Sequence, residues 1–197
     1  MQIGKYQFLP ARRVWIPKPG KKELRPLGIA SPREKIIQKA VTIVLELIYE
    51  PTFSPNSHGF RPGRGCHTAL RQVSQQFQAV TWVIEGDITK CFDSFDHSTL
   101  LGIIQKKIHC KITMKTIRRM MQAGYIDTGK FSENAQKGTP QGSVLSPLLC
   151  NIYLNELDVF IEQLKQKYNT KASRDKNKLW HRKNRQMKKA FRAGDID

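Results

Sequence analysis

Cysteine is scarce in this chain and carries no paired spacing: Cys66, Cys91, Cys110 and Cys150 are scattered. That excludes a zinc ribbon or a disulfide framework, and free thiols in a reducing compartment are the expectation. Long apolar runs are missing as well. None approaches the ~20 residues of a membrane-spanning helix, so a membrane is not an expected partner. The first residues, Met1 to Tyr6, lack the apolar centre of a secretory signal and do not form an Arg- and Ser-rich transit peptide. No internal repeat is present. Acid is the largest deficit, because 16 Asp and Glu stand against 34 Lys and Arg, a formal charge of +18 on 197 residues. An excess of that size favours a polyanionic partner. It is also uneven, since residues 165–192 hold 12 Lys and Arg against Asp175 alone, a local balance of +11.

What is present reads as a folded chain of one sizeable core, with 39% hydrophobic residues. Residues 13–17 and 24–29 read as two short strands around a Pro19-Gly20 turn. The tip of that hairpin carries Lys18, Lys21 and Lys22, with Arg25 beyond it. Ser31-Pro32 opens a helix, and Glu34 is placed to close a capping box. Its apolar positions, Ile36, Ile37, Ala40, Val41, Val44, Leu45 and Ile48, form a wide stripe expected to be core, and Pro51 ends it. Residues 51–65, rich in Pro, Gly, Asn and Ser, read as an irregular loop holding Arg61 and Arg64. A second amphipathic helix shows Ala69, Leu70, Val73 and Phe77 on one face. Two further helices run through Leu100, Leu101, Ile104 and Ile108, capped by Asp96, and from about Thr113 to Gly124. A hairpin or loop spans Tyr125 to Lys137, and a helix follows that is capped by Ser146, with Pro147 in its first turn. The basic tail carries Tyr168, Trp180 and Phe191 among its cations. It reads equally as a surface for phosphate contact with occasional base stacking, and as a solvated helix or connector.

The chain is organised around residues 82–97, WVIEGDITKCFDSFDH. Trp82, Val83 and Ile84 read as a short buried strand, and Gly86 lets the backbone approach a neighbour. Asp87 follows at the strand end, where an acid can hold a metal ion with the carbonyl of Ile88 as a further oxygen ligand. Phe92 offers an apolar floor beside it. Asp93 and Asp96 read as a turn former and a helix cap. For Asp87 the residues alone leave the turn and the metal-ligand readings open.

This stretch resembles the first catalytic-aspartate motif of reverse transcriptases encoded by group II introns. RPLGI at 25–29, SHGFRPGRGC at 57–66 and GTPQGSVLSPLL at 138–149 match in the same order and at similar spacing, so the resemblance covers most of residues 10–165. It implies an α+β fold: the fingers and partial palm of a right-hand polymerase, with short antiparallel strands and covering helices. The expected division is fingers over 1–80, a partial palm with the aspartate motif over 81–124, the Pro-Gln-Gly segment and a palm helix over 125–164, and a basic connector or tail over 165–197. By matching position, Asp87 would bind catalytic magnesium together with Ile88. Phe92 would exclude a ribonucleotide 2′-hydroxyl, and Gln141 would lie beside the incoming nucleotide. Lys18 and Arg25 would clamp its triphosphate, with Lys21 or Lys22 as substitutes for Lys18. Arg61 and Arg64 would lie near the template strand or the nucleotide and contact phosphate there. Independently of the resemblance, the charge of the tail makes Lys171, Arg174, Arg182, Lys183, Arg185, Lys188 and Lys189 its candidate RNA contacts.

Polymerase chemistry needs two magnesium ions. The family's second motif, an aromatic-Ala-Asp-Asp sequence, is absent from the 197 residues, and Asp195 and Asp197 lack its tyrosine and adjacent aspartates. Three readings follow. In the first, the chain is part of an RNA-directed DNA polymerase, inactive alone, whose magnesium site is completed by a second polypeptide carrying the rest of palm and thumb. In the second it is an inactive RNA-binding maturase remnant or a component of a larger ribonucleoprotein. In the third it is a decayed reading frame. The resemblance implies structured RNA, such as an intron, as partner. It implies an organelle matrix or stroma, the mitochondrion favoured, or a bacterial cytoplasm.

Overall fold

The computed structural model describes residues 6–20, 22–77, 83–132, 137–139, 142–168 and 178–193. The chain divides into two compact units, residues 1–159 and 160–197.

The first unit is α+β, as the motifs implied. Strands β1 (Ala11–Pro17) and β2 (Leu24–Ile29) pair antiparallel from Arg12↔Ile29 to Pro17↔Leu24. The expected turn closes them, with Gly20 at φ 71° and Lys18 N–H donating to the Glu23 carbonyl at 3.0 Å. A second hairpin, β3 (Tyr125–Asp127) and β4 (Lys130–Ser132), joins the sheet in the order β2-β1-β3-β4. The β1–β3 pair is parallel, so the sheet is mixed rather than wholly antiparallel.

Helix α1 (Pro32–Tyr49) starts where the Ser31 hydroxyl accepts from Glu34 N–H. The capping box is only half formed. Glu34 is buried, and its carboxylate accepts from the Tyr6 hydroxyl at 2.6 Å and from Leu9 N–H at 3.4 Å. Among the described residues of this unit a 3-10 turn at Glu50–Thr52 follows α1, and then α2 (Cys66–Gln76), α3 (Cys91–Ser94), α4 (His97–Gln105), α5 (Lys111–Gln122) and the start of α6 (Ser146–Tyr168). Ser146 is the first helical residue and is itself buried. Leu145 stands at the cap, its carbonyl accepting from Leu149 N–H at 3.1 Å. Helix α5 stops at Gly124, whose φ of 70° is the left-handed geometry expected after a helix end.

One core joins Leu45 and Tyr49 of α1 to Leu100 and Ile104 of α4, Ile117 and Met121 of α5, and Leu149 and Ile152 of α6. Tyr49 donates its hydroxyl to the Ile104 carbonyl at 3.1 Å inside it. One expectation fails here. The α1 stripe is not all core: Leu45 is fully buried, but Ile36 and Val44 are exposed, as are Ile43 and Leu47. A helix apolar on most sides buries only the side that meets other elements. Helix α2 likewise leaves Leu70, Val73 and Phe77 exposed.

The central strand also fails to form. Residues 83–88 have no regular structure, Ile84 is 98% exposed, and Trp82 lies outside the described residues. A three-residue apolar run has no stability as a strand without a neighbour to accept its backbone hydrogen bonds. The four strands described pair among themselves. In the second unit, α6 ends at Tyr168 and α7 spans Lys178–Ala193. No helix among the described residues is long and apolar enough to cross a membrane.

Candidate functional site

An open cleft of about 1340 Å³ lies between the β1–β2 hairpin and the 87–93 stretch. Arg13, Trp15, Lys18, Glu23, Leu24, Arg25 and Pro26 line one side. Asp87, Ile88, Lys90, Cys91, Phe92 and Asp93 line the other. Five residues singled out in the sequence, Lys18, Arg25, Asp87, Ile88 and Phe92, therefore share one cavity although up to 74 positions separate them. Local backbone explains part of this. The hairpin register sets Arg25 opposite Ile16, and the turn brings Lys18 back beside Glu23. On the facing side Lys90 adopts the left-handed region at φ 51°, a conformation that non-glycine residues rarely hold, and α3 begins directly after it.

The cleft is lined by both signs of charge. Lys18 Nζ lies 2.6 Å from Glu23 Oε2, and that hydrogen bond holds the exposed Glu23 carboxyl below the ordinary carboxylate range. Arg13 stacks over the Tyr125 ring and comes within 4.0 Å of Asp127, whose other oxygen accepts from Trp15 Nε1 at 3.3 Å. Arg25 and Asp87 make no ion pair among the described residues. A cleft with a lysine and an arginine above a carboxylate and an aromatic ring suits a ligand that is anionic at one end and flat at the other. Arg13, Trp15 and Glu23 were not anticipated. Their signal was there, since Arg13 and Trp15 alternate with Val14 and Ile16 and a strand of period two sends them to one face.

A resident magnesium ion does not fit as a complete site. Among the described residues no group of three or more His, Cys, Asp or Glu side chains converges to hold a metal. Asp87 with the Ile88 carbonyl is a partial set for a cation that takes six oxygen ligands. Asp195 and Asp197 lie outside the described residues.

Residues 137–139 run along the 92–97 stretch. Thr139 N–H donates to the Phe92 carbonyl at 2.7 Å, and Gly138 N–H to the Phe95 carbonyl at 2.8 Å. A Cβ on Gly138 would stand 2.7 Å from the Asp93 backbone, so only glycine permits this approach. Pro140 and Gln141 lie outside the described residues, and the expectation for Gln141 is untouched by the structure.

The expected RNA contacts separate. Arg61 differs from its expected role. It is 8% exposed, its Nη1 donates to the Ser54 and Ser57 carbonyls at 2.7 and 2.8 Å, and its Nε and Nη2 meet the Glu50 carboxylate. With its donors taken inside the protein, it anchors the loop and is not available to phosphate. Arg64 donates to the Pro55 carbonyl at 2.6 Å and stays partly exposed. Arg182, Lys183, Arg185, Lys188 and Lys189 are exposed on α7, with Arg182, Arg185 and Lys189 lining a hollow with His181 and Gln186. Lys171 and Arg174 lie outside the described residues. The cysteines are free, as expected, yet two that are distant in sequence meet: Cys91 Sγ is 3.2 Å from Cys150 Sγ. Burial and that hydrogen bond push the Cys150 thiol up to about 12.

The family described as reverse transcriptase (RNA-dependent DNA polymerase) matches residues 16–181. The chain is 47% identical over 172 residues to the group II intron-encoded protein LtrA of Lactococcus lactis, a match covering 87% of this chain and 28% of that protein. It is equally 47% identical to an uncharacterized 91 kDa protein in the cob intron of Schizosaccharomyces pombe, over 87% of this chain and 21% of the relative. A putative COX1/OXI3 intron 2 protein of Saccharomyces cerevisiae is 40% identical, over 89% of this chain and 21% of that protein. The chain thus spans between a fifth and three tenths of the length of these relatives.

Proposed function

The chain belongs to the reverse transcriptase family, and from that premise we propose that its cleft is the nucleotide-facing part of an RNA-directed DNA polymerase of the group II intron type. The observation that carries this reading is the meeting of Lys18, Arg25, Asp87, Ile88 and Phe92 in one cavity. Lys18 and Arg25 hold the triphosphate of the incoming deoxynucleotide, which must displace Glu23 from Lys18. Phe92 lies under the sugar and leaves no room for a 2′-hydroxyl. Asp87 and the Ile88 carbonyl give one side of a magnesium site. Bound magnesium would activate the attacking oxygen and neutralise the leaving phosphate. Because the 197 residues lack the aromatic-Ala-Asp-Asp sequence, the chain alone does not extend a primer, and a second polypeptide supplies the remaining carboxylates.

Calorimetric titration of the chain with magnesium dGTP and magnesium GTP tests the site. The deoxynucleotide is expected to bind more tightly, Phe92→Val to erase the preference, and Lys18→Met with Arg25→Met to weaken both. Equal binding of the two nucleotides, indifferent to all three changes, would overturn the reading.

RNA is the proposed macromolecular partner, and the exposed cations of α7 support it as a phosphate-contacting face. The second reading, an RNA-binding maturase remnant or ribonucleoprotein component without catalysis, is favoured by the same helix. Deleting residues 165–197 should lower affinity for structured RNA. If the deletion frees roughly five phosphates, the salt slope should flatten by about 3.5 to 4.5 log units per decade. An unchanged slope would end the assignment of the tail to RNA. Relatives in introns of a bacterium and of fungi support a bacterial cytoplasm or an organelle, the mitochondrion favoured.

A further inference from the structure

Residues on both sides of Pro140-Gln141 are held by two further side chains that have no task in the cleft so far. His97, the first residue of α4 and 5% exposed, has Nε2 2.6 Å from the Gly138 carbonyl. A carbonyl only accepts, so the ring proton is on Nε2 and the imidazole donates. A few residues on, the partner changes. Gln38, on α1, accepts through Oε1 from Val144 N–H at 3.1 Å and from the Ser143 hydroxyl at 3.2 Å, spanning 106 and 105 positions of sequence. Between these, a Cβ on Gly142 would stand 2.7 Å from the Gly28 carbonyl of β2, the strand that carries Arg25.

Three separate parts of the cleft architecture therefore converge on residues 138–139 and 142–144. The 92–97 stretch holds one end through the Phe92 and Phe95 carbonyls and His97. Helix α1 holds the other through Gln38. Strand β2 passes Gly142 closely enough that a Cβ there would meet the Gly28 carbonyl. We propose that Gln38 and His97 are positioning residues of the nucleotide cleft, a two-point clamp that fixes the hairpin bearing Lys18 and Arg25 relative to the stretch bearing Asp87 and Phe92. The inference rests on the nucleotide reading of that cleft. Its chemistry is specific at Gln38. One amide oxygen accepts two bonds, one of them from a backbone N–H that every residue but proline carries, so an acceptor at that length is what the position requires.

The test uses the full 197-residue chain. Gln38→Met keeps length and packing but removes the acceptor, whereas Gln38→Glu keeps the acceptor. Amide hydrogen exchange at Val144 should quicken in Gln38→Met and return to the wild-type rate in Gln38→Glu, with the exchange of the Leu100–Ile104 core unchanged in both. Titrated with magnesium dGTP, Gln38→Met should bind about three- to tenfold more weakly, the range set by one or two net hydrogen bonds. The double variant Gln38→Met/Ser143→Ala should be little weaker than Gln38→Met alone, because both changes remove the same bond. His97→Leu should speed exchange at Thr139 and Gly138 and weaken dGTP binding in parallel. If the wild-type chain binds dGTP and the variants match it, the clamp is wrong and the cleft assignment stands. If the wild-type chain binds no nucleotide, the cleft assignment fails and the clamp with it. Unchanged exchange at Val144 in Gln38→Met overturns the contact itself.

Discussion

The loop at 51–65 and the stretch at 83–90 are both irregular backbone, yet they are held in opposite ways. In the loop, Arg61 and Arg64 reach back to the Ser54, Pro55 and Ser57 carbonyls, and Asn151 of α6 donates to the Gly59 carbonyl at 2.8 Å. His58 meets Thr68 and Gln72 through its two ring nitrogens, which ties the loop to α2. The 83–90 stretch is exposed along its length, including Val83 and Ile84. Composition suggested an irregular loop and a buried apolar strand. The difference shows that order follows from whether backbone carbonyls find donors, and side chains can supply donors without any ladder. A strand has no such recourse; it needs another strand.

Breaking the loop should have the largest effect. Arg61→Ala leaves the Glu50 carboxylate without its guanidinium and takes one donor from each of the Ser54 and Ser57 carbonyls, and is expected to lower unfolding free energy by about 3 kcal/mol. Urea denaturation would read it. Arg61→Lys should recover less than half, because an ammonium cannot serve the carboxylate and the carbonyls from one plane. A loss within experimental error would mean the loop is ordered by α2 and α6 and not by Arg61.

A smaller effect is expected at Asp96, the cap of α4. Its carboxylate accepts from Thr99 N–H at 2.8 Å and from the Ser98 and Thr99 hydroxyls. The Ser98 hydroxyl first, then the Thr99 amide and hydroxyl, hold its pKa down at about 2. A depressed carboxyl stabilises the fold above its unfolded value near ~4, and that contribution is lost as pH falls through the folded value. The melting temperature of Asp96→Ala should therefore lie below wild type by a constant gap above about pH 5, and the gap should close toward pH 2. A gap that widens on acidification would contradict the cap.

The smallest effect belongs to Ile84→Ser. At 98% exposure the side chain has no packing to lose, and stability should move by less than about 0.5 kcal/mol. A loss of several times that in the same 197-residue chain would mean that a strand is present after all.

Much of the cleft was legible in the string of residues. The motifs named Lys18, Arg25, Asp87, Ile88 and Phe92, and one cavity contains all five. The flaws are of one kind. Arg61 reads as a surface cation in a Gly- and Pro-rich loop, and nothing nearby in sequence announces that Glu50, eleven residues earlier, would bury it. Gln38 reads as an unremarkable helix position, and its partners are more than a hundred residues away. Cys91 and Cys150 are 59 residues apart and meet in space.

Local chemistry is what the residues determined by themselves. Ser31 and Pro51 bracket α1, Asp96 caps α4 and Gly124 ends α5, because a cap, a missing N–H and a left-handed glycine act within a few residues of chain. The order and spacing of the four motifs named the family for the same reason, since they are properties of the string. Which side of α1 is buried, which arginine is spent on the protein and whether Val83 and Ile84 are paired were settled only in three dimensions. Apolar periodicity tells which residues can be buried together, not what will cover them. A donor or a strand edge is satisfied only by the group that folding brings opposite to it.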